Sequence, residues 1–419
     1  MRIVRLSNPD PATVRDLWPP APNVEADVRA IIEQVREGGD AALRELAERF
    51  DPAGVAPDRL AVPTQEIEGA LGWAEPRILD SLRVAIANVR AVAEAQIEHG
   101  AVVELSEGQY VEIAEVPVRR AGVYVPGGRA PYPSTVVMCA VTARAAGVPE
   151  IALCAPPSVA DARIHPMILA ACALCGVNEV YRVGGAQAIA AMAYGTESIK
   201  PVDVIAGPGS PYVQEAKRQV SGMVGIDSIA GPSELVVVAT DDADAQLIAL
   251  DLLAQAEHGP DSALAVISNN AVLLEMVVEA VTRLGAERAS VTDALLAAIE
   301  MPDALSAVKL ADAVAPEHLE LIGDEAEDEV ELVTRAGCIF IGEMGATAFG
   351  DYVAGSNHVL PTGGAARFAS ALSPRTFRRR MSRVSLTDEA AARLAPDGAA
   401  IAAAEGFPVH GESMQRRRA

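Results

Sequence analysis

Two long stretches near the start of the chain repeat apolar residues at helical spacing. VEADVRAIIEQVREGGDAALRELAERF (24–50) is broken once by a Gly-Gly pair, and RILDSLRVAIANVRAVAEAQIEHG (77–100) ends at a glycine. A repeat near 3.6 residues is typical of amphipathic helices that pack on a core. We therefore predict a mainly helical N-terminal segment over residues 1–115.

From about residue 116 the pattern changes to short, continuously apolar runs that alternate with helical stretches. The runs include AGVYVPG, EIALCAPP, EVYRVGG and VDVIAGPG, and a second set begins near residue 233 with SELVVVAT. Strands that are apolar throughout are buried on both faces, as in parallel sheets covered by helices. The alternation predicts an α/β fold of two Rossmann-like, doubly wound parallel-sheet domains with right-handed crossovers.

The two sets of strands divide the chain into four predicted parts. These are an N-terminal helical segment packing on the second α/β domain (1–115), a first Rossmann-like domain (116–232), a second Rossmann-like domain (233–365) and a C-terminal helical tail (366–419). After the helix NAVLLEMVVEAVTRLG, a further helical stretch is predicted up to the strand GCIFIG (337–342). An arginine-rich stretch in the tail is interpreted as a solvated or interface face rather than a phosphate site.

Composition and charge narrow the possible partners. The formal net charge of the 419 residues is −23, which disfavours nucleic acid and anionic membrane surfaces because both attract positive charge. No apolar run reaches the roughly 18 residues that a membrane helix needs. The polar N-terminus has no hydrophobic signal core, so a cytoplasmic location is expected. The five cysteines are odd in number and fit reduced, buried thiols.

Glycine-rich turns follow several predicted strands. They are VYVPGGRAPYPST (123–135), VGGAQ (183–187), AGPGSPYV (206–213) and IAGPSE (229–234). Ligands of open α/β sheets bind outside the carboxyl ends of the strands, where such turns offer free N–H groups to an anion. None of the turns is a GxGxxG fingerprint and no P-loop is present, so nucleotide binding and plain tight-turn geometry both stay open.

Four of the six histidines lie in short polar motifs in the second half of the chain. They are His258 in QAEHGPDS, His318 in APEHLE, His358 in GDYVAGSNHVLPTGG and His410 in AEGFPVHGES. Carboxylates and carboxamides stand beside them: Gln255, Glu257, Glu317, Asp351, Asn357 and Glu405. Together these are the ligand types of a nitrogen/oxygen metal site with spare acid–base groups.

Each pair taken singly also has a purely structural interpretation. Gln255 and His258 share a helix face and could ligate a divalent cation, or His258 could cap the helix with Gln255 in solvent. Glu317 and His318 could transfer protons, or could be solvent-facing residues in the first turn of a helix. The Gly-rich loop at 350–364 is costly to order, which favours a function for it.

In their order and spacing, these motifs resemble those of histidinol dehydrogenases. QAEHGPDS, APEHLE, GDYVAGSNHVLPTGGAARF and AEGFPVHGES carry the resemblance, together with the upstream glycine turns, from about residue 20 to the end. The resemblance implies oxidation of L-histidinol to L-histidine through L-histidinaldehyde, with two NAD, in histidine biosynthesis. It also implies a zinc-dependent homodimer.

The resemblance further implies roles for individual residues. The zinc ligands would be Gln255, His258, Asp351 and His410. The proton-transfer residues would be Glu317 and His318. NAD would be contacted by Tyr124, Gln187 and Ser210. The substrate would be held by Ser233, Glu405, His318 and the zinc ligands. The tail would form the dimer and carry Glu405 and His410 into the partner's site.

The chain departs from the family pattern at two places. Ser210 stands where asparagine is usual and has a shorter reach toward NAD, and Phe407-Pro408-Val409 is a bulkier run than expected. Another small alcohol, such as a sulfonated diol, is therefore an alternative substrate. A metal-dependent hydrolase lacks an HExxH motif here, and a two-lobed binding protein would usually carry an export signal. His358 has no assigned role.

Overall fold

The computed structural model describes residues 1–20, 22–51, 56–127, 130–157, 163–241 and 243–417. Gly128 and Arg129, which belong to the predicted turn 123–135, lie outside the described residues. Two parallel sheets and one small antiparallel sheet organise the described ranges.

Within these ranges, strands and helices are numbered in the order in which they occur along the chain. The strands are β1 (Arg2–Ser7), β2 (Ala101–Glu104), β3 (Tyr110–Pro117), β4 (Arg120–Tyr124), β5 (Glu150–Ala155), β6 (Glu179–Arg182), β7 (Val204–Ala206), β8 (Gly225–Ile226), β9 (Glu234–Ala239), β10 (Ala263–Ser268), β11 (Leu295–Glu300), β12 (His318–Ile322), β13 (Cys338–Ile341) and β14 (Arg378–Ser385). The helices are α1 (Pro11–Arg15), α2 (Glu25–Phe50), α3 (Thr64–Gly69), α4 (Pro76–Ala95), α5 (Pro133–Ala145), α6 (Pro166–Cys175), α7 (Gly185–Tyr194), α8 (Pro211–Val220), α9 (Ala245–Ala256), α10 (Ala271–Ala286), α11 (Ala304–Val314), α12 (Asp324–Glu327), α13 (Thr347–Tyr352), α14 (Asp388–Ala404) and α15 (Pro408–Gln415).

The first parallel sheet has the strand order β6-β5-β4-β7-β8. The chain builds outward from β4 through β5 to β6, then returns to the other side of β4 to add β7 and β8. The order reverses between β4 and β7, and this switch point is where dinucleotides bind in Rossmann-type sheets. Tyr124 ends β4 and Ala206 ends β7, so both lie at the carboxyl edge of the switch point.

The second parallel sheet has the order β1-β11-β10-β9-β12-β13. Apart from the added edge strand β1, the chain again builds outward from its first strand, β9, and then switches sides at β12. The predicted fold class of two doubly wound parallel sheets is therefore confirmed. Residues 227–233 connect the carboxyl end of β8 to the amino end of β9.

The N-terminal helices do not pack where we predicted. We expected them on the second α/β domain, whereas α2 packs on α7 and α8, and α4 packs on α5, all in the first domain. The buried face of α2, which includes Val28, Ile32 and Leu43, joins the core around α7. Helical periodicity identifies an apolar face but carries no information about the surface that covers it. From the start of the chain, β1 and α1 do reach the second domain, where β1 pairs with β11 and α1 packs on α11.

The prediction of a helical stretch before GCIFIG was wrong for two segments, which form strands. LLAAIE forms β11 and HLELI forms β12, both inside the second sheet. Short apolar runs rich in Leu, Ala and Ile are equally typical of a buried strand and of a buried helix. His318 therefore opens a strand, and Glu320 lies on the same face two residues later.

The tail is not wholly helical, because it begins with β14. This strand pairs antiparallel with β3, which in turn pairs with β2. Two of its four arginines are paired with acidic side chains, Arg380 with Glu98 and Glu115 and Arg383 with Glu112. This pairing fits a solvated face rather than a phosphate site. Helices α14 and α15 then pack on each other.

No helix in the described ranges is long and apolar enough to cross a membrane. All five cysteines are free thiols, and Cys172 and Cys175 are buried in the core on α6.

Candidate active site

The glycine-rich loop at 350–364 is hydrogen-bonded to both domains. Asn357 donates to the Met138 carbonyl and the Thr142 hydroxyl, both on α5 of the first domain, at 3.1 Å. Thr362 accepts from the backbone amide of Gly231 in the connector between the domains. The loop therefore contacts both a helix of the first domain and the connector that leads into the second domain.

Glu317 and Glu234 stand side by side at the amino ends of β12 and β9. The Glu234 amide donates to the Glu317 carboxylate at 2.9 Å, and the Glu317 amide donates to the Glu234 carboxylate at 3.1 Å. The other oxygen of Glu234 accepts from the Gly363 amide at 2.6 Å. Burial, reinforced by the neighbouring Glu317 carboxylate, raises the pKa of Glu234 to about 8.

His318 is 4% exposed, and its two ring nitrogens have different surroundings. Nδ1 lies 3.0 Å from the carbonyl oxygen of Glu234, and because a carbonyl only accepts, Nδ1 carries the proton of this bond. Nε2 points toward Asp351, 3.9 Å from its Oδ1. Burial opposes protonation of the ring, but the Glu317 and Asp351 carboxylates and the Glu234 carbonyl together outweigh it and raise the pKa of His318 to about 9.

Asp351 is positioned by His358, which had no assigned role. Nδ1 of His358 donates to the Asp351 carbonyl at 2.8 Å, and Nε2 lies 3.4 Å from the Thr135 hydroxyl on α5. Burial lowers the pKa of His358, so the ring is neutral, with Nε2 as the acceptor. Electrostatic interaction with the His318 and His258 rings lowers the pKa of His358 further, so the three histidines lie within electrostatic reach of one another.

Gln255 and His258 lie at the end of α9, beside this cluster. Gln255 is 2% exposed, which excludes the interpretation that it lies in solvent. Its Nε2 has no hydrogen-bond partner among the described residues. His258 is exposed and follows α9 by two residues.

The chemistry of these donors suits a zinc ion. Gln255, His258 and Asp351 supply a carboxamide, an imidazole and a carboxylate. A buried amide nitrogen without a partner is rare in folded proteins, and turning the carboxamide of Gln255 would put its oxygen, which can bind a cation, in the place of Nε2. Across the described ranges, no group of three or more His, Cys, Asp or Glu side chains is arranged to hold a metal ion. The described part of a single chain therefore does not assemble the four ligands that the resemblance implies.

The structure does not bring Glu405 and His410 to the other site residues. Glu405 is the C-cap residue just after α14 and His410 lies on α15, and both are exposed. The His410 ring packs beside Phe407, with ring centroids 5.3 Å apart. Ser233, in contrast, directly precedes Glu234 and so lies with the cluster around His318.

The three residues implied in NAD contact converge at the switch point of the first sheet. The Tyr124 hydroxyl accepts from the Gly185 amide at 3.0 Å, at the start of α7. Gln187 lies buried in the first turn of the same helix. The Tyr124 ring packs beside Gly209, since a Cβ there would lie 3.1 Å from the ring. Ser210 follows, exposed, as the N-cap of α8.

Three acidic residues near the site were missed in the sequence. Glu234 is described above; Glu320 on β12 accepts from the Thr347 amide at 2.9 Å and so holds the start of α13, which carries Asp351. Burial and the charge of Glu320 raise the pKa of Asp251, on α9, to about 7. A signal was present, because a carboxylate inside an apolar strand such as SELVVVA or HLELI must be paired or functional.

Comparison with known proteins agrees with the motifs. The histidinol dehydrogenase family model matches residues 20–418. The histidinol dehydrogenase of Synechococcus sp. is 43% identical over 407 residues, covering 94% of this chain and 92% of the relative. That of Rhizobium meliloti is 44% identical over 401 residues, covering 94% and 92%.

A solved structure extends this match to the fold. Histidinol dehydrogenase from Elizabethkingia anophelis superposes with a TM-score of 0.91 at 30% identity, covering 100% of this chain and 98% of that chain. The resemblance found in the motifs is confirmed, and the chain belongs to the histidinol dehydrogenase family of NAD-dependent dehydrogenases.

Proposed function

We propose that this chain oxidises L-histidinol to L-histidine through L-histidinaldehyde, using two NAD and a zinc ion. The observation that carries the proposal is the buried Glu317–His318 pair, whose Nε2 on His318 lies 3.9 Å from the Asp351 carboxylate. Gln255, whose buried Nε2 has no partner among the described residues, lies on α9, which contacts the helix α13 that carries Asp351. In a chain of this family, that arrangement joins a proton acceptor, an acid–base carboxylate and metal donors in one place.

Zinc would be held by Gln255, His258 and Asp351, with His410 from a second copy of the chain as the fourth ligand. When bound, zinc supplies a Lewis acid for the alcohol and carbonyl groups of the substrate, and NAD accepts the hydride. The proton transfers and the activation of water are carried out by side chains of this protein.

His318 takes the hydroxyl proton in the first step, and it can do so only as a neutral ring. A zinc ion held by Asp351 would favour the neutral ring, because it would offset one of the carboxylate charges that raise the pKa of His318. Its Nδ1 proton is committed to the Glu234 carbonyl, so Nε2 is the nitrogen that faces the substrate. Turning the imidazole would break this buried bond, whose acceptor belongs to a residue held in turn by Glu317 and Gly363. His318 accepts a proton again during the second oxidation.

Glu317 serves the second half of the reaction by activating the water that hydrates the aldehyde. One of its oxygens accepts from the Glu234 amide, which leaves the other to accept a proton from water. Because Glu317 and His318 are fixed in one site, the aldehyde can be hydrated and oxidised there without first being released.

A homodimer would complete the site. Glu405 and His410 are exposed on the α14–α15 pair, which also presents the apolar side chains of Ile401, Phe407 and Val409 to solvent. An apolar surface that surrounds candidate site residues supports docking of this tail on another copy of the chain. Tyr124, Gln187 and Ser210 would contact NAD at the switch point.

The reaction is tested by the NADH yield from a limiting amount of L-histidinol. We expect about two NADH per L-histidinol, and loss of activity on chelation that zinc restores. Turnover of a sulfonated diol in preference to L-histidinol would overturn the substrate assignment. A yield near one, with aldehyde released, would overturn the two-step reaction at one site.

A further inference from the structure

A buried ion pair lies in the first domain, away from Glu317 and His318. Lys217 on α8 and Asp227, just after β8, form the pair, with side chains only 1% and 2% exposed. Burying two charges is costly, and the attraction between them often does no more than offset that cost. A role other than stability is therefore worth seeking at this pair.

Both members of the pair bind the same residue, Gly207. The Lys217 ammonium donates to the Gly207 carbonyl at 3.1 Å, and the Gly207 amide donates to Asp227 Oδ2 at 2.8 Å. Gly207 has a φ of +131°, and a Cβ at this position would collide with the Tyr124 carbonyl oxygen. The pair thus satisfies both backbone polar groups of a residue that only glycine can occupy.

Gly207 opens the turn that carries Ser210. Gln214, one helical turn before Lys217, donates to the Gly209 carbonyl at 3.5 Å and accepts from the Ala230 amide at 2.8 Å. One face of α8 therefore holds the turn on one side and the connector to the second domain on the other.

We propose that Lys217 and Asp227 are positioning residues for the cofactor, because they fix the turn from Gly207 to Ser210 against Tyr124. This inference rests on the cofactor site proposed above. Backbone amides bind a pyrophosphate only when the turn is already held in shape, since ordering it during binding would cost affinity. Loss of the pair weakens NAD binding and spares the chemistry at Glu317 and His318, which belong to the other domain.

The test replaces both charges by apolar side chains of similar size, Lys217→Met with Asp227→Leu. Such a swap keeps the packing and often restores stability, but it leaves Gly207 without either partner. NADH binding, followed by nucleotide fluorescence without any alcohol substrate, should weaken at least about tenfold. The KM for NAD should rise to match, with kcat at saturating NAD within about threefold of the native value.

A matched control is a second buried ion pair of the first domain, at the end of β4 opposite to Tyr124. Arg120 opens β4, is 8% exposed in its side chain and pairs with Glu150 and Glu179, whereas Tyr124 ends β4. Arg120→Met should lower the melting temperature and change NADH affinity by less than about twofold. Asp227→Asn retains an oxygen for the Gly207 amide and should bind NADH more tightly than Asp227→Leu, even if the double variant does not fold.

Native NADH affinity in the folded double variant would overturn the positioning role, as would an equal loss in Arg120→Met. A native chain that binds no NADH would instead overturn the cofactor site itself, so the two failures are distinguishable.

Discussion

Glu234 and Glu317 each accept a hydrogen bond from the backbone amide of the other, although 83 residues separate them in the sequence. This exchange joins the first residue of β9 to the residue just before β12. It also presents the Glu234 carbonyl to His318, so one contact sets the positions of both proposed proton-transfer groups.

Shortening Glu234 should disorganise the site more than it unfolds the protein. Glu234→Ala removes the acceptors of two amides, the buried one of Glu317, at about 1–3 kcal/mol, and the more exposed one of Gly363, at less. We expect kcat of Glu234→Ala to fall about a hundredfold. Glu234→Gln keeps one acceptor, so its kcat should lie between that of Glu234→Ala and the native value. Asp40→Asn is the control, since Asp40 accepts from Thr196 and Ser198 within the first domain, whereas Glu234 and Glu317 belong to the second. An equal loss of kcat in that control would show that general destabilisation explains the result.

The two proton-transfer residues should fail in different half-reactions. Glu317→Gln should slow oxidation of L-histidinaldehyde while sparing the first hydride transfer, because only the second step needs an activated water. His318→Asn should impair both steps. Single-turnover NADH formation from the alcohol and from the aldehyde measures this. If Glu317→Gln slowed both oxidations equally, the division of labour would be wrong.

Sharing of the site between two chains predicts complementation. His410→Ala and His318→Asn should each be inactive alone, with His410→Ala also losing zinc. When the two variants are coexpressed, half of the dimers should be mixed, and each mixed dimer regains one intact site. Activity should then reach about a quarter of the native value. Mixtures that stay inactive, or full zinc content in His410→Ala, would contradict a ligand from the second chain.

Asp51 should make the protein less stable as the pH rises. Burial raises the pKa of Asp51 to about 6, and its Oδ2 has no partner among the described residues. The folded state therefore binds more protons than the unfolded state between about pH 4 and 6, so the free energy of unfolding falls across this window and stays lower above it.

Asp51→Asn should remove that fall. We expect about 1 kcal/mol of added stability at pH 7 and no difference at pH 4, after allowing for residual solvent contact. Urea unfolding at both pH values measures the change, and Asp58→Asn, at an exposed position close by, is the control. An equal gain at pH 4 would point to a cause other than ionisation.

The fold class could be predicted from the sequence, whereas the packing of the elements against one another could not. Alternating apolar runs and helical stretches predict two parallel-sheet domains because both kinds of period are local. The surface that covers α2, and the choice of strand over helix for LLAAIE and HLELI, depend on residues far away in the chain. For the same reason Glu234 was overlooked: its importance comes from Glu317 across the sheet. The spacing of the motifs nevertheless predicted Gln255, His318 and Asp351 as site residues. His318 faces Asp351 in the fold, and Gln255 lies on α9, which contacts the helix that carries Asp351.

The loop at 350–364 has a thermodynamic consequence. Asn357 binds α5 of the first domain, Thr362 binds the connector and Gly363 binds Glu234 of the second domain. Because the loop belongs to the second domain, separating the domains would break its contacts with α5 and remove a support of the first domain. The two sheets should therefore unfold in a single cooperative transition rather than melt in turn.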